Sequence, residues 1–154
     1  MRRSERWWPI LLAGTLWGLP VAAQAQTSAA IQHYLTEQFR GCSLYAYQEN
    51  FRGPLAGADR PVAIASYTIE SCGGGNNYAR TVGVFFAANG KVQQFKAASP
   101  IDGPDVDDRS GVTVQGELIT VRSSAYAPDD PRCCPSLKRT ASYRLVNGAI
   151  VPAR

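Results

Sequence analysis

The stretch PVAIASYTIES, residues 61–71, decides the fold of this chain. One set of side chains alternates with another along it: Ala63, Ala65, Tyr67 and Ile69 against Ile64, Ser66, Thr68 and Glu70. This period of two, rich in β-branched and aromatic residues, is typical of a β-strand because successive strand side chains point to opposite faces. We therefore predict a strand here, with partner strands in the neighbouring sequence.

Two Asn-Gly pairs downstream predict β-hairpins. Asn89-Gly90 lies between strands predicted over 78–87 and 91–96, and Asn147-Gly148 lies between the last two apolar runs of the chain. Both residue types adopt positive φ easily, which a tight hairpin turn requires. Further strands are predicted between residues 111 and 124, after a surface connection rich in Pro and Asp.

Upstream of the strands, the sequence predicts one amphipathic helix over residues 29–39. Thr27 or Ser28 is a suitable N-cap, and Gly41 is a suitable stop. The apolar face of this helix consists of Ile31, Tyr34, Leu35 and Phe39. With the strands, this predicts an α+β domain in which an N-terminal helix packs on an antiparallel sheet of about five or six strands in hairpin order.

The first 25 residues have the composition of a cleavable export signal. Three arginines precede an apolar stretch over 7–19, and a small-residue run ends in Ala23-Gln24-Ala25. We predict cleavage before Gln26, which leaves residues 26–154 as a single periplasmic or secreted domain. The alternative is an uncleaved membrane anchor, but prolines and glycines interrupt the apolar stretch, so we expect a soluble protein with no stable membrane anchor.

The charge of the mature chain does not indicate a nucleic-acid-binding protein. Cleavage removes three Arg and one Glu, so the 16 basic and 12 acidic residues fall to 13 and 11. A net charge near +2, without clusters of Lys and Arg, gives no footprint for nucleic acid or anionic lipid.

The mature chain has four cysteines: Cys42, Cys72, Cys133 and Cys134. An even number in an exported chain indicates disulfides, because the compartment beyond the membrane is oxidising. Neighbouring side chains in an extended segment point to opposite sides, so we predict that Cys133 and Cys134 bond separately to Cys42 and Cys72. A four-cysteine zinc site is the alternative, but the long spacings do not suit it.

The segment YAPDDPRCCPS, Tyr126–Ser136, resembles the hallmark of the LppP/LprE family of small bacterial envelope proteins, with a weaker likeness upstream over 82–95. Leu118–Val121 precedes this segment, and Tyr143-Arg144 and Asn147-Gly148 follow it. The resemblance covers the C-terminal half of the chain. It implies an exported domain of unsettled biochemical role and supplies no catalytic residues. Lipoprotein members carry a lipid-bearing cysteine directly after the signal, where this chain has Gln26, so lipid anchoring is not expected.

No set of catalytic or metal-binding residues stands out. His33 is the only histidine and has no partner close in sequence. Four aspartates, Asp102, Asp105, Asp107 and Asp108, crowd one loop, but their spacing differs from that of a calcium loop and indicates a solvated acidic turn. We expect no cofactor and no metal.

These observations favour a non-catalytic binding or modulating protein whose partner is an unknown envelope protein or small ligand. Three prolines and the cysteine pair restrict the loop 126–136, and Tyr126 and Arg132 add side chains that often dominate interfaces. We predict that these two residues bind the partner. Two alternatives stay open: an envelope hydrolase with an unrecognised site, and a thiol-redox protein that uses Cys133 and Cys134.

Overall fold

The computed structural model describes residues 21–74, 77–105, 108–131 and 134–153, with the side chains of the helix described from Thr27. The elements in chain order are α1 (Val21–Gln38), β1 (Ser43–Gly53), β2 (Val62–Glu70), β3 (Tyr78–Ala88), β4 (Lys91–Gln94), β5 (Lys96–Ala97), β6 (Val112–Gln115), β7 (Leu118–Ala125), β8 (Leu137–Val146) and β9 (Ala149–Pro152). Residues 1–20 of the predicted signal lie outside the described residues. No helix among those described is long and apolar enough to cross a membrane.

The strands form two sheets. The first has the order β1-β2-β3-β4 and is antiparallel throughout, and the second has the order β5-β9-β8-β7-β6, in which only the short β5–β9 pairing is parallel. With the helix packed on the first sheet, these two sheets confirm the predicted α+β fold. The described part of the chain contains nine strands, more than the five or six expected. Two of the additional strands are β1, which was not anticipated, and β5, which arises because residues 91–97 divide between the sheets.

Strand β2 explains the layering, because both of its faces are buried. Its odd-numbered residues, such as Ala63 and Ala65, join β3 residues and the helix residues Ile31 and Leu35 in one apolar cluster. Its even-numbered residues Val62 and Ile64 join a second cluster with side chains of the five-stranded sheet. The first sheet is therefore the middle layer, between α1 on one face and the second sheet on the other.

Helix α1 begins earlier than the sequence predicts. It starts at Val21, six residues before the expected cap at Thr27, and it includes the predicted cleavage point before Gln26. The alanine-rich run over 22–30 favours helix, so nothing stops the helix from extending through it. Ser28, instead of capping, donates a hydrogen bond of 2.7 Å to Glu49 on β1.

Strand β1 went unpredicted because its pairing with β2 is irregular. The register shifts between Leu44 and Ala46 and again between Glu49 and Phe51. Each shift inserts a residue into the strand, which destroys the period-two pattern that a sequence reading depends on. The same bulges protect β1 as an edge strand, since they disturb the row of free backbone groups that another chain would pair with.

The disulfide Cys42–Cys72 corrects the predicted pairing. The two Cα atoms lie 4.2 Å apart, and Cys134 is also disulfide-bonded, so the predicted scheme that links Cys42 and Cys72 separately to the adjacent pair is wrong. The β1–β2 register gives the reason. It pairs Ser43 with Glu70, which places the residue before β1 beside the chain that leaves β2.

Candidate functional site

The first candidate site is an exposed surface formed by Tyr78, Arg80, Tyr126 and Lys138, which we call the aromatic-basic surface. Tyr78 and Arg80 are two residues apart on β3, so both point from the same face of the strand. Tyr126 follows β7 and Lys138 lies near the start of β8. The surface therefore draws its side chains from both sheets.

Asp105 holds this surface together. Its carboxylate forms ion pairs with Arg80 from the first sheet and with Lys138 from the second, the latter at 3.2 Å. Ser124 on β7 donates a further hydrogen bond to it at 2.8 Å. Partial burial raises the pKa of the Asp105 carboxyl, but the donors Ser124 and Lys138 and the charges of Arg80 and Lys138 outweigh it and hold the pKa below its usual value. The group stays ionised near neutral pH and links the two sheets.

The two tyrosines of the aromatic-basic surface form a polarised pair. Their hydroxyl oxygens are 3.4 Å apart, and the Arg80 guanidinium lies over the Tyr78 ring, 5.0 Å from its centroid, and donates to its hydroxyl. The hydrogen bond between the two hydroxyls lowers the pKa of Tyr78 and raises the pKa of Tyr126. Tyr78 is 42 % exposed and Tyr126 is 50 % exposed, so both rings face solvent. They are exposed but held in place.

The loop that carries Tyr126 is ordered by Asp130. Its carboxylate accepts hydrogen bonds of 2.7 Å from the backbone N–H groups of Ala127 and Ser136, and its own N–H donates to the Ala127 carbonyl. These bonds hold the pKa of Asp130 below its usual value. The predicted rigidity of this loop thus has a source besides its prolines.

Of the predicted binding residues, Tyr126 lies on the aromatic-basic surface, whereas Arg132 lies outside the described residues, as does Cys133. The sequence reading missed Tyr78, Arg80 and Lys138. The spacing of Tyr78 and Arg80 on a predicted strand was the one available signal, since it places an aromatic and a cation side by side. Lys138 comes close to them only through the pairing of β7 with β8.

The polar groups around Asp105 do not form an activated nucleophile. Lys138 donates a hydrogen bond of 3.0 Å to the Ser124 hydroxyl instead of accepting one from it, and the carboxylate that accepts from Ser124, Asp105, is already engaged by Arg80 and Lys138. His33 is exposed on α1, a different element. Within the described ranges, no three His, Cys, Asp or Glu side chains are grouped as metal ligands. Asp107 of the acidic loop lies outside those ranges.

The second candidate site is a pocket of about 560 Å³ between the N-terminal part of α1 and the first sheet, which we call the α1 pocket. Its walls come from Thr27, Ile31, Arg52, Gly53, Arg60, Pro61, Val62, Ala63, Phe85, Phe86, Ala87 and Val92. The volume lies within the range of small-molecule sites in proteins. The wall consists of apolar side chains apart from Thr27 and the two arginines.

Comparisons with protein-family models, with curated proteins and with solved structures each gave no match.

Proposed function

We propose that the protein is an exported, non-catalytic domain that binds an envelope protein through the aromatic-basic surface. One observation carries this proposal: two exposed tyrosines, Tyr78 and Tyr126, are fixed against each other by a hydrogen bond and against Arg80. Exposed aromatic rings normally lose side-chain freedom when a partner binds. Here that entropy is already lost in the folded protein, which favours binding.

The residue types of the aromatic-basic surface support a protein partner. Tyrosine and arginine are enriched among the residues that contribute most to protein interfaces, and a tyrosine ring offers both an apolar face and a polar hydroxyl. The loop bearing Tyr126 is held by Asp130 and so does not need to be ordered on binding. Such preorganisation is the physical basis on which we assign binding to this surface.

Charge indicates the kind of partner segment. Arg80 and Lys138 both pair with Asp105, which leaves these three groups with one net positive charge. We therefore propose that the partner presents an acidic side chain beside an apolar one. The apolar group would contact the tyrosine rings while the carboxylate approaches Lys138, whose side chain is 79 % exposed.

The cellular setting of this proposal comes from the sequence. The signal-like residues 1–25 and the disulfide Cys42–Cys72 support export to the periplasm or beyond, where disulfides persist. Membership of the LppP/LprE family, carried by the Tyr126–Ser136 segment, is part of the same proposal.

Photo-crosslinking in living cells tests the surface directly. The photoreactive residue p-benzoylphenylalanine replaces Tyr78 or Tyr126 in separate strains, and Tyr45 serves as the control because it is exposed to 62 % on β1. We expect an adduct of one discrete size from the Tyr78 and Tyr126 strains and none from the Tyr45 strain. Absence of adducts, or equal adducts from all three strains, would contradict the proposal.

A charge reversal tests the nature of the partner. We expect Lys138→Glu, combined with the photoreactive residue in place of Tyr126, to lower the adduct yield because it removes the attraction for a carboxylate. Lys91→Glu is the matched control, since Lys91 is an exposed lysine at the start of β4 and outside this surface. An unchanged yield with Lys138→Glu would reject an acidic partner segment.

A further inference from the structure

Strand β8 is the middle strand of the second sheet, but it has a partner on both sides only along its second half. Residues 137–143 pair with β7, whereas β9 pairs with residues 143–146. Among the described residues, none forms a backbone hydrogen bond to residues 137–141 from the β9 side. Residues 137–141 are all exposed to solvent, and we call this segment the open edge of β8.

The pairing of β8 with β9 shows which backbone groups of the open edge lack a partner. In an antiparallel ladder, alternate residues of a strand direct both N–H and C=O to the same neighbouring strand. Ala153 donates its N–H to the Ser142 carbonyl, so the even-numbered residues of β8 face the β9 side. Lys138 and Thr140 therefore present their backbone N–H and C=O groups to solvent on that side. Arg139 directs its own groups to β7.

Two cations lie next to each other on the open edge. Lys138 pairs with Asp105, whereas the Arg139 side chain points to the opposite face of the sheet. Arg139 forms no ion pair or side-chain hydrogen bond with the part of the chain that the structure describes. Leu137 and Ala141 flank it on the same face, because side chains two residues apart in a strand point the same way. This face of the open edge therefore presents a cation between two apolar groups.

These charges distinguish between the possible occupants of the open edge. If two copies of the chain paired their open edges antiparallel about Arg139, the two Arg139 side chains would lie opposite each other. Like charges directly opposite in a sheet are destabilising, and charged side chains on an edge are a common protection against such self-association. The same cations favour a partner strand that carries a carboxylate.

We propose that the open edge of β8 binds an extended acidic segment of the partner protein, which adds a strand to the second sheet in line with β9. Lys138 and Thr140 exchange backbone hydrogen bonds with this segment. A carboxylate of the segment lies opposite Arg139, between apolar side chains opposite Leu137 and Ala141. In such strand additions, backbone hydrogen bonds supply affinity and alternate side chains supply specificity. The inference rests on the proposed function for the class of partner and adds the conformation in which the partner binds.

A synthetic peptide tests the strand addition on the purified protein. The peptide acetyl-Thr-Val-Thr-Glu-Thr-Val-Thr-amide has the expected alternation, and its titration at millimolar concentration is followed by NMR. We expect the amide protons of Lys138 and Thr140 to become protected from exchange with solvent. The amide proton of Arg139 should not change, because it already faces β7. Absence of this protection, or an equal change at all three residues, would overturn the proposal.

Backbone methylation of the peptide tests the hydrogen bonds themselves. In the proposed pairing, the two threonines beside the glutamate direct their N–H groups to β8, and the glutamate directs its own away. Methylation of these two threonine nitrogens should abolish binding, whereas methylation of the glutamate nitrogen should retain it. Equal binding of the two methylated peptides would overturn the strand addition.

A proline variant tests the same bonds from the side of the protein. Thr140→Pro removes an N–H that takes no part in the pairing with β7, so the variant should fold and bind the peptide about tenfold more weakly. Thr140→Val is the matched control, since it keeps the N–H and the shape of the side chain. Circular dichroism checks that both variants fold. Peptide binding by a folded Thr140→Pro that equals binding by Thr140→Val would contradict the proposal.

A charge exchange tests the side-chain part of the proposal. Replacement of the peptide glutamate by lysine should weaken binding about threefold. Arg139→Glu should reverse this preference. Arg144→Glu should retain it, because Arg144 is an exposed arginine in the half of β8 that pairs with β9. Equal binding of the glutamate and lysine peptides to the unaltered protein would refute the assignment of Arg139.

Photo-crosslinking in cells separates this inference from the proposed function. With the photoreactive residue in place of Ala141, we expect the same adduct as from the Tyr78 strain. Val146, exposed on the paired half of β8, is the control and should give none. An adduct from Tyr78 but not from Ala141 would overturn the strand addition and leave the proposed function standing. Protection of the Lys138 amide proton without peptide, together with a dimer in size-exclusion chromatography, would assign the open edge to a second copy and overturn the proposal.

Discussion

Replacement of both cysteines of the Cys42–Cys72 disulfide by serine should lower the free energy of unfolding by about 3 to 4 kcal/mol. The bridge joins residues 30 apart in sequence. In the chain-entropy model a loop of this length removes about 12 cal/mol/K from the unfolded state, which corresponds to about 3.6 kcal/mol at 25 °C. Both cysteines also pack against the apolar cluster under α1, so serine hydroxyls there add a small further cost.

Denaturant unfolding followed by circular dichroism measures this loss, with the unaltered protein as the reference. For a domain of about 130 residues, the same loss lowers the melting temperature by roughly 10 to 15 °C. Peptide mapping without reduction should recover the Cys42–Cys72 peptide from the unaltered protein. A destabilisation below about 1 kcal/mol, or a peptide that joins Cys42 or Cys72 to Cys133 or Cys134, would refute the reasoning.

Three further outcomes follow from other parts of the structure. Gly57→Ala should destabilise by about 2 to 4 kcal/mol in thermal or denaturant unfolding, because Gly57 has a φ of +85° and an added Cβ would lie 2.5 Å from the Leu145 carbonyl oxygen. Asp105→Asn should destabilise by about 1 to 2 kcal/mol at pH 7 and by less at pH 3 in urea unfolding. Tyr126→Phe should raise the pKa of Tyr78 towards its usual value, because the hydrogen bond between the two hydroxyls is lost; NMR titration of ring-labelled tyrosines measures this change.

The pH dependence expected for Asp105→Asn follows from the direction in which folding shifts the pKa of Asp105. The pKa is lower in the folded protein, so the stabilisation is fully present above the unfolded value of about 3.9 and is lost as the pH falls through the folded value. The unaltered protein and Asp105→Asn should therefore approach each other in stability below about pH 4.

For Gly57→Ala, the control is Gly116→Ala, because Gly116 has a positive φ but no atom lies within 4 Å of the added Cβ. Equal losses of stability in Gly57→Ala and Gly116→Ala would contradict the account of Gly57. A stability difference between the unaltered protein and Asp105→Asn that does not change with pH would contradict the account of Asp105.

Local sequence signals predicted the elements that depend on local interactions. The alternation of residues 61–71 and the Asn-Gly turns correspond to β2 and to two tight hairpins, with Asn89 and Asn147 at positive φ. The alternating pattern of residues 61–71 did not reveal that a second sheet covers the other face of β2. Two alternating sets of side chains give the same pattern whatever packs against each face of the strand. Strand β1 was missed because its bulges remove the alternation.

Predictions that depended on contacts between residues far apart in sequence were less accurate. The disulfide pairing rested on the directions of two neighbouring side chains, whereas the register of β1 with β2 brings Cys42 and Cys72 together. At the candidate site, loop chemistry identified Tyr126. Tyr78 lies 48 residues before Tyr126 in sequence, and Lys138 lies on the following strand, β8. Only the tertiary arrangement of the strands brings these side chains near Tyr126.

The division of residues 91–97 between the sheets has a consequence for how the protein unfolds. Phe95 donates its backbone hydrogen bond to Val84 in the first sheet, while Lys96 already pairs with Ala149 in the second. No residue lies between these pairings to act as a hinge or a linker. Opening of either sheet at this point strains the other, so we expect the nine described strands to unfold as one cooperative unit. Amide protons on both sides of Phe95 should then exchange with solvent at similar rates.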